Sequence, residues 1–259
     1  MDYGTLIGDS FAYTKDGLLG NVGIWAMLII LTILPAIPII CWVIAMVLTL
    51  KAMPGILFLA GGFGIALILA ALLSAFLSGY SLKILRGGKP LPPVVGFGTL
   101  FTEGIRYTVI QVIYMIPALI IFCITVLPAM LSVWTNLLAG SKPAGMGPVF
   151  MGMLGGILIT LIVGFIFGLF SFIGVVRYAR TGSFHEAFRF SAILETIRTI
   201  GWGTYIAALL IMMAIVLVVS FVIGVIPVIG GILHLVIGPF ITVFIMRYVC
   251  LLYDSAGTA

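Results

Sequence analysis

Residues 107–141 read YTVIQVIYMIPALIIFCITVLPAMLSVWTNLLAGS, 35 positions between Arg106 and Lys142 without a single charge. A helix crosses the hydrocarbon core of a bilayer with about 20 apolar residues, so this run is long enough to do so. A soluble domain has no interior large enough to hide several such runs. Outward from it the pattern repeats in both directions. Charges gather in short breaks around Lys15, Lys51, Lys83, Glu103, Lys142, Arg177 to Arg198 and Arg247. Most of the gaps between breaks are apolar runs of about 25 to 35 residues, again longer than a crossing needs.

Composition agrees with that reading. Hydrophobic residues make up 63% of the 259 positions, charged residues 7%, and the mean hydropathy is +1.39. Soluble domains carry about 25% charged residues, so an all-α polytopic membrane protein forming a single integral membrane domain (1–259) is expected. The net charge of +5 is no nucleic-acid footprint. No basic tail or aromatic–basic ribbon accompanies it, and cytoplasmic membrane loops carry an excess of Lys and Arg in any case. Cys41, Cys123 and Cys250 sit inside apolar segments at no ligand spacing and are expected to pack as small apolar side chains. Asp2, Asp9 and Asp16 stand where a signal peptide wants basic residues, so the first helix is expected to stay attached.

Six spanning helices are expected, at about 22–49, 54–82, 107–134, 149–176, 202–225 and 228–252. Loop 83–106 holds Lys83, Arg86, Lys89 and Arg106, and loop 177–201 holds Arg177, Arg180, Arg189 and Arg198. The alternate breaks hold Lys51, then Lys142, then nothing. Both termini in the cytoplasm put ten of the twelve basic residues inside, against two in the opposite orientation. The expected location is a cell membrane, crossed several times. Trp42 and Trp134 then fall near the outer boundary, and Tyr80, Tyr107, Tyr178, Trp202 and Tyr248 near the inner one.

Pairing the helices exposes an internal likeness. Glu103-Gly104-Ile105-Arg106 opens the third helix and Glu195-Thr196-Ile197-Arg198 precedes the fifth, while Arg86-Gly87-Gly88 and Arg180-Thr181-Gly182 follow the exits of the helices before them. Three hairpins are expected, each introduced by a cytoplasmic amphipathic elbow at about 3–16, 95–106 and 184–200. Tyr3, Leu6, Ile7 and Phe11 share one helical face, as do Phe97, Leu100, Phe101 and Ile105, and Phe190, Ile193, Leu194 and Ile197. Glu103 and Glu195 are each expected to pair with the arginine three residues on. These pairs either solvate an elbow helix or, with Arg177 and Arg180, form a docking platform for anionic lipid or a protein partner. Lys83, Arg86 and Lys89, at i, i+3 and i+6, are candidate ligands for lipid phosphate.

The search for chemistry returns mostly absences. His185-Glu186 begins like a metalloprotease motif, but Arg189 stands where the second histidine belongs. No Asp or Glu lies in mid-span, so no proton relay, catalytic group, metal or cofactor is expected. Gln111 reads as an interhelical hydrogen-bonding residue, and His234 as that or as an interfacial side chain. Pro35 and Pro38 interrupt the first helix, Pro117 and Pro128 the third and Pro239 the sixth, which Pro227 starts. Such breaks either line a substrate path or let hairpins curve. Gly152-x-x-x-Gly156 and Gly164-x-x-x-Gly168 mark helix four for a tight helix contact, and Ala139 to Pro148 reads as a flexible outer loop.

Ser78-Gly79-Tyr80-Ser81-Leu82-Lys83-Ile84-Leu85-Arg86 with Pro90, Pro92 and Pro93, the elbow from Phe101 to Arg106, and the stretch Arg177 to Phe190 carry a family resemblance. On them the chain resembles the uncharacterised prokaryotic, largely archaeal, membrane proteins catalogued as domain of unknown function 4013. That resemblance implies a membrane protein and carries over no activity, cofactor or catalytic residue. The leading expectation is a non-enzymatic membrane protein that binds lipid or a protein partner, as a homo-oligomer or a subunit of a membrane assembly. The alternative is a channel or permease built on the proline-broken helices, with Gln111, Thr125, Ser132, Ser171 or His234 lining a polar path. A third reading is a lipid-modifying enzyme at the inner interface around Glu103, His185, Glu186 and Glu195.

Overall fold

A computed structural model describes residues 2–49, 56–138, 140, 147–226 and 229–257. Every regular element among them is helical: α1 (Tyr3–Leu19), α2 (Val22–Ile33), α3 (Ala36–Thr49), α4 (Ile56–Leu85), α5 (Phe97–Leu138), α6 (Gly147–Thr181), a 3-10 turn (Phe184–Phe188), α7 (Phe190–Ile200), α8 (Trp202–Gly224) and α9 (Ile229–Asp254). Five of them, α4, α5, α6, α8 and α9, are long and apolar enough to cross a membrane. A sixth span follows if α1 and α2, which meet at 98°, are counted together. By helix length and composition the chain is a multi-pass membrane protein. Lys51, Pro227 and most of the expected outer loop (Ser141, Lys142, Pro143 and Gly145) lie outside the described residues, while Gly147 and Pro148 open α6.

The helices differ from expectation in two places. The span expected at 22–49 is two short helices, α2 and α3. Pro35 stands at the break, where it has no N–H to donate and its ring crowds the carbonyl four residues back. Pro38 falls in the first turn of α3, where N–H groups have no intrahelical partner to lose. The second difference concerns the elbow expected at 95–106. It is continuous with the span at 107–134, as one helix of 42 residues. No proline lies between Phe97 and Ile116 to stop the ladder, and Pro117 and Pro128 sit inside α5 without ending it. At 1.5 Å per residue α5 is about 63 Å long, roughly twice the hydrocarbon thickness, so part of it must lie outside. The third elbow is a separate piece: the 3-10 turn and α7 run between Gly182 (φ 70°) and Gly201 (φ 91°), left-handed positions that glycine adopts without strain.

Helix α9 is the hub, packed against α1, α2, α4, α6 and α8, while α5 lies between α4 and α6. Among the described glycines, the tightest contacts fall between α4 and α5. Gly79 meets the Leu100 carbonyl and Gly104 meets the Ala75 carbonyl, so a methyl on either glycine would overlap backbone. Ala75 and Gly79 are one four-residue step apart on α4, the small-residue spacing that lets two helix backbones touch, and Gly104 meets Ala75 from α5. Buried tyrosines then tie elements together through main-chain carbonyls. Tyr205 donates to Leu169 O (2.6 Å), Tyr248 to Ala208 O (2.8 Å) and Tyr114 to Ala187 O (2.5 Å). In membrane interiors, where water cannot serve, a phenol paired this way satisfies its own hydroxyl and adds a lone-pair partner to the helix. Trp25 Nε1 donates to Val236 O (2.9 Å), joining α2 to α9 three residues before Pro239.

Candidate functional site

Helices α4, α6 and α9 bring their C-terminal ends together, and that is where the charged residues of the bundle meet. The last carbonyls of a helix have no intrahelical donor, and the dipole leaves that end partly negative. Arginine answers both demands at once. Arg86, just past α4, donates from Nε to Ala179 O at the end of α6 (3.4 Å). Arg180, in the last turn of α6, donates from Nε to Leu85 O at the end of α4 (3.0 Å). The exchange is reciprocal, and it follows the likeness of Arg86-Gly87-Gly88 to Arg180-Thr181-Gly182.

The remaining donors of the two arginines reach carboxylates. Arg180 Nη2 donates to Asp254 Oδ1 of α9 (2.7 Å) and lies 3.2 Å from Cys250 Sγ. Cys250 is thus a buried thiol beside a guanidinium, not merely the small apolar filler expected of it, whereas Cys41 and Cys123 are exposed. Arg86 Nη2 donates to Glu103 Oε1 of α5 (2.6 Å). A third arginine completes the knot: Arg247, only 4% exposed, lies over the Tyr13 ring at 4.6 Å and donates to Gly87 O (3.3 Å). The stack over an aromatic face compensates a desolvated cation that has no carboxylate partner among the described residues.

Side chains also stitch down the loop after α4. Tyr13 donates to Gly88 O (3.2 Å), Tyr80 to Pro92 O (2.9 Å) and Lys83 to Val95 O (2.7 Å). One turn before Arg180 on α6, Arg177 pairs with Glu186, which also accepts from Arg189 (3.2 Å). The hydrogen bond from Arg177, followed by that from Arg189, holds the Glu186 carboxyl below its ordinary range against the opposing pull of desolvation. This pins the 3-10 turn over α6, where Phe188 stacks on Tyr114 (5.4 Å).

The charged residues singled out from the sequence therefore divide. Lys83, Arg86, Glu103, Arg177 and Arg180 are committed to contacts within the fold, while Lys89, Arg106, Glu195 and Arg198 are exposed. The expected pairing of Glu103 with Arg106 is corrected: Glu103 pairs with Arg86 across the α4–α5 junction. Glu195 and Arg198 form no ion pair among the described residues. An exposed i,i+3 pair contributes only a few tenths of a kcal/mol, too little to hold two long side chains against solvation or a better-placed partner. Of Lys83, Arg86 and Lys89, the first two are engaged within the fold, Arg86 with its side chain still 45% exposed, and Lys89 is exposed.

The glycines of α6 divide as well. Gly156 is pressed against Thr125 and Val126 of α5; Gly164 meets only the Ala118 side chain, at 3.7 Å; Gly152 and Gly168 face open space. Gly79 and Gly104, which make the tightest crossing, were visible only as glycines inside the Ser78–Arg86 and Glu103–Arg106 motifs. Gln111 behaves as read, accepting from Ser171 of α6 and donating to Tyr107 (3.1 Å). Thr125 donates back to Ile121 O of its own helix, and His234 is exposed on α9. His185 is exposed beside Glu186, and no group of three His, Cys, Asp or Glu with metal-holding geometry occurs among the described residues.

Comparison with known proteins gives one match. A family described as "Protein of unknown function (DUF4013)" matches residues 62–228, well over half of the chain, from the interior of α4 to the α8–α9 junction. No curated protein and no solved structure matches.

Proposed function

We propose, from the premise that this chain belongs to the DUF4013 family of proteins of unknown function, that it is a non-catalytic membrane protein whose cytoplasmic face binds anionic lipid headgroups. It works as an oligomer or as a subunit of a larger membrane assembly. The arginine-rich end is the cytoplasmic face, both termini lie on it, and six crossings group as three hairpins. Helix α1, the first turns of α5, and α7 are the interfacial elbows.

One observation carries the reading. Phe11, Phe97 and Phe190, one from each elbow, are 51%, 46% and 44% exposed. Lys15, Arg106 and Arg198 are exposed in the same segments, and Lys89 in the loop after α4; none of them enters an ion pair among the described residues. Bare aromatic rings beside unpaired cations suit the headgroup layer, where the ring enters the acyl boundary and the cation meets phosphate. Each such cation contributes about 1 kcal/mol near an anionic surface. Arg86, Arg180 and Arg247 hold the helix ends and are not part of this surface.

Native mass spectrometry of protein extracted with its lipids tests the proposal. Substituting Lys89→Gln, Arg106→Gln and Arg198→Gln together should lower the ratio of anionic to zwitterionic lipid retained; an unchanged ratio refutes it. Cysteine placed at Val95, in a background without the native thiols, should react with an impermeant reagent only from the cytoplasmic side. Labelling of intact cells would reverse the orientation.

A further inference from the structure

Where α4, α5, α6 and α9 meet, next to the arginine knot, lies a cavity of about 20 Å³. Leu85 of α4, Val175 of α6 and Val249 of α9 stand in its apolar walls, and α5 contributes Tyr107 and Gln111. Those two are the only polar side chains lining it among the described residues. They stand four residues apart, on one face of α5. Both residues are half-buried, with the Tyr107 hydroxyl deep among its neighbours.

Beside this cavity two hydrogen-bond donors go unused. Gln111 accepts from Ser171 of α6 and donates to the Tyr107 hydroxyl (3.1 Å). The three side chains carry four donor hydrogens, one on Tyr107, two on Gln111 and one on Ser171, and the two bonds between them consume two. Turning the amide over exchanges donor for acceptor and leaves the same surplus. These side chains make no other hydrogen bond among the described residues. Leu85 offers no outlet, since its carbonyl already accepts from Arg180 Nε (3.0 Å) and Cys250 Sγ (3.7 Å). Within a bundle in lipid an unmet N–H or O–H is costly, because no bulk water is at hand to meet it.

We infer that this cavity binds one water molecule, which accepts from Tyr107 Oη and Gln111 Nε2 at the junction of four helices. Size selects the occupant. A buried water needs about 10–15 Å³ of such space and two to four polar partners, so about 20 Å³ takes one molecule and excludes any larger solute. Chemistry selects it too. The site lacks a small acceptor, and water brings two lone pairs without a charge that apolar walls would leave desolvated. Bound there, the water fixes the Gln111 amide that joins α5 to α6 through Ser171. Nothing in this depends on the lipid reading above.

Gln111 is the only glutamine in the sequence, so nitrogen-15 placed on glutamine side chains gives a single amide pair to observe by NMR. In the intact protein in detergent, that pair should show a dipolar cross-peak to water with the sign of a bound rather than a diffusing molecule. Val249→Leu adds a carbon to the α9 wall and should reduce the cross-peak at least severalfold while the amide pair remains visible. If that variant folds poorly, Val175→Leu fills the same space from α6 and is read the same way. A native amide pair with no cross-peak to water overturns the inference. So does a cross-peak that survives the filling variants: the Tyr107 and Ser171 hydroxyls remain in them, and exchange of those protons with solvent would then be its source.

Discussion

The two ends of the bundle differ both in their residues and in how they are held. Near the arginine knot, polar side chains reach across elements: Tyr13, Tyr80, Tyr114, Tyr205 and Tyr248 each donate to a carbonyl of another segment, and Arg86, Arg180 and Arg247 bridge helix ends. At the opposite end, among the described residues, side-chain hydrogen bonds stay at home. Thr125, Asn136 and Thr160 each bond to a carbonyl three or four residues earlier in their own helix. Apolar side chains there are bare, Ile124 at 69%, Met151 at 71% and Phe221 at 69% exposed. In lipid, apolar side chains gain nothing by leaving hydrocarbon for one another, so helices need backbone proximity or polar bonds to stay together. One end has both, while at the other the described residues show close contacts at Gly62, Gly156 and Gly230. Hydropathy makes the spans; among the described residues the polar contacts between elements gather mainly at one end.

The sharpest way to break that comparison is to push the helices apart at their closest point. Gly104→Leu must displace the Ala75 carbonyl, a backbone atom that cannot swing aside. Overpacking of a tight core costs about 1–3 kcal/mol and more where backbone must move. Gly104→Leu should therefore give the largest fall in melting temperature in detergent, with loss of the monodisperse species. Gly152→Leu, facing open space at the other end, should leave both unchanged. Equal sensitivity at the two glycines would mean that the ends are alike after all.

Next in size is the knot itself. Arg180 and Asp254 are about three-quarters buried, and each has hydrogen bonds that the other satisfies. Removing one partner of a charged hydrogen bond costs about 1.5–3 kcal/mol, much of it from the group left behind. A cycle of Arg180→Met, Asp254→Asn and the double variant should give a favourable coupling of about 0.5–3 kcal/mol. A coupling of zero would make the pair a bystander and return the end-capping to the dipoles alone.

How much of this was legible beforehand depends on whether the cause was local. The membrane class was, because hydropathy states directly which solvent a segment tolerates. The break within the first span was foreshadowed by Pro35, and the Gln111 bond by an isolated amide in an apolar helix. The joining of elbow and span in α5 was not, since an amphipathic helix and a spanning helix share one periodicity and no breaker divides 97–116. Partner choice among the charges was equally hidden. Arg86 lies 17 residues from Glu103 and Arg180 lies 74 from Asp254, so neither pair follows from helix spacing. Small-residue spacing on α6 pointed to a tight helix contact there; of those four glycines Gly156 meets a neighbour closely, and the tighter crossing falls at Gly79 and Gly104.

A smaller effect separates the two kinds of hydroxyl. Tyr205→Phe removes the bond from α8 to Leu169 O and should destabilise by about 0.5–1.5 kcal/mol. Thr125→Val removes only a bond within its own helix and should cost less, read by thermal unfolding in the same detergent. A reversed order would show that the cross-helix phenols are ornamental.

The smallest expected effect is also the one that pH can switch. Glu186 has its carboxyl lowered by Arg177 and then by Arg189, so its folded form prefers the charged state more than the unfolded chain does. A carboxylate depressed in this way stabilises fully above its ordinary range, about 4.3, and loses that contribution as pH falls through the lowered value. Acid should therefore loosen the 3-10 turn Phe184–Phe188 and its stack on Tyr114 before it touches the bundle, seen as faster backbone hydrogen exchange confined to that segment after correction for intrinsic rates. The change stays small because the turn is also held by the Tyr114 bond to Ala187 O, which does not titrate in this range. Glu186→Gln should abolish the acid step while leaving the neutral-pH exchange of α4, α5 and α6 as it was. A step that persists in that variant would assign the titration to another group and remove Glu186 from the account of how the strap is held.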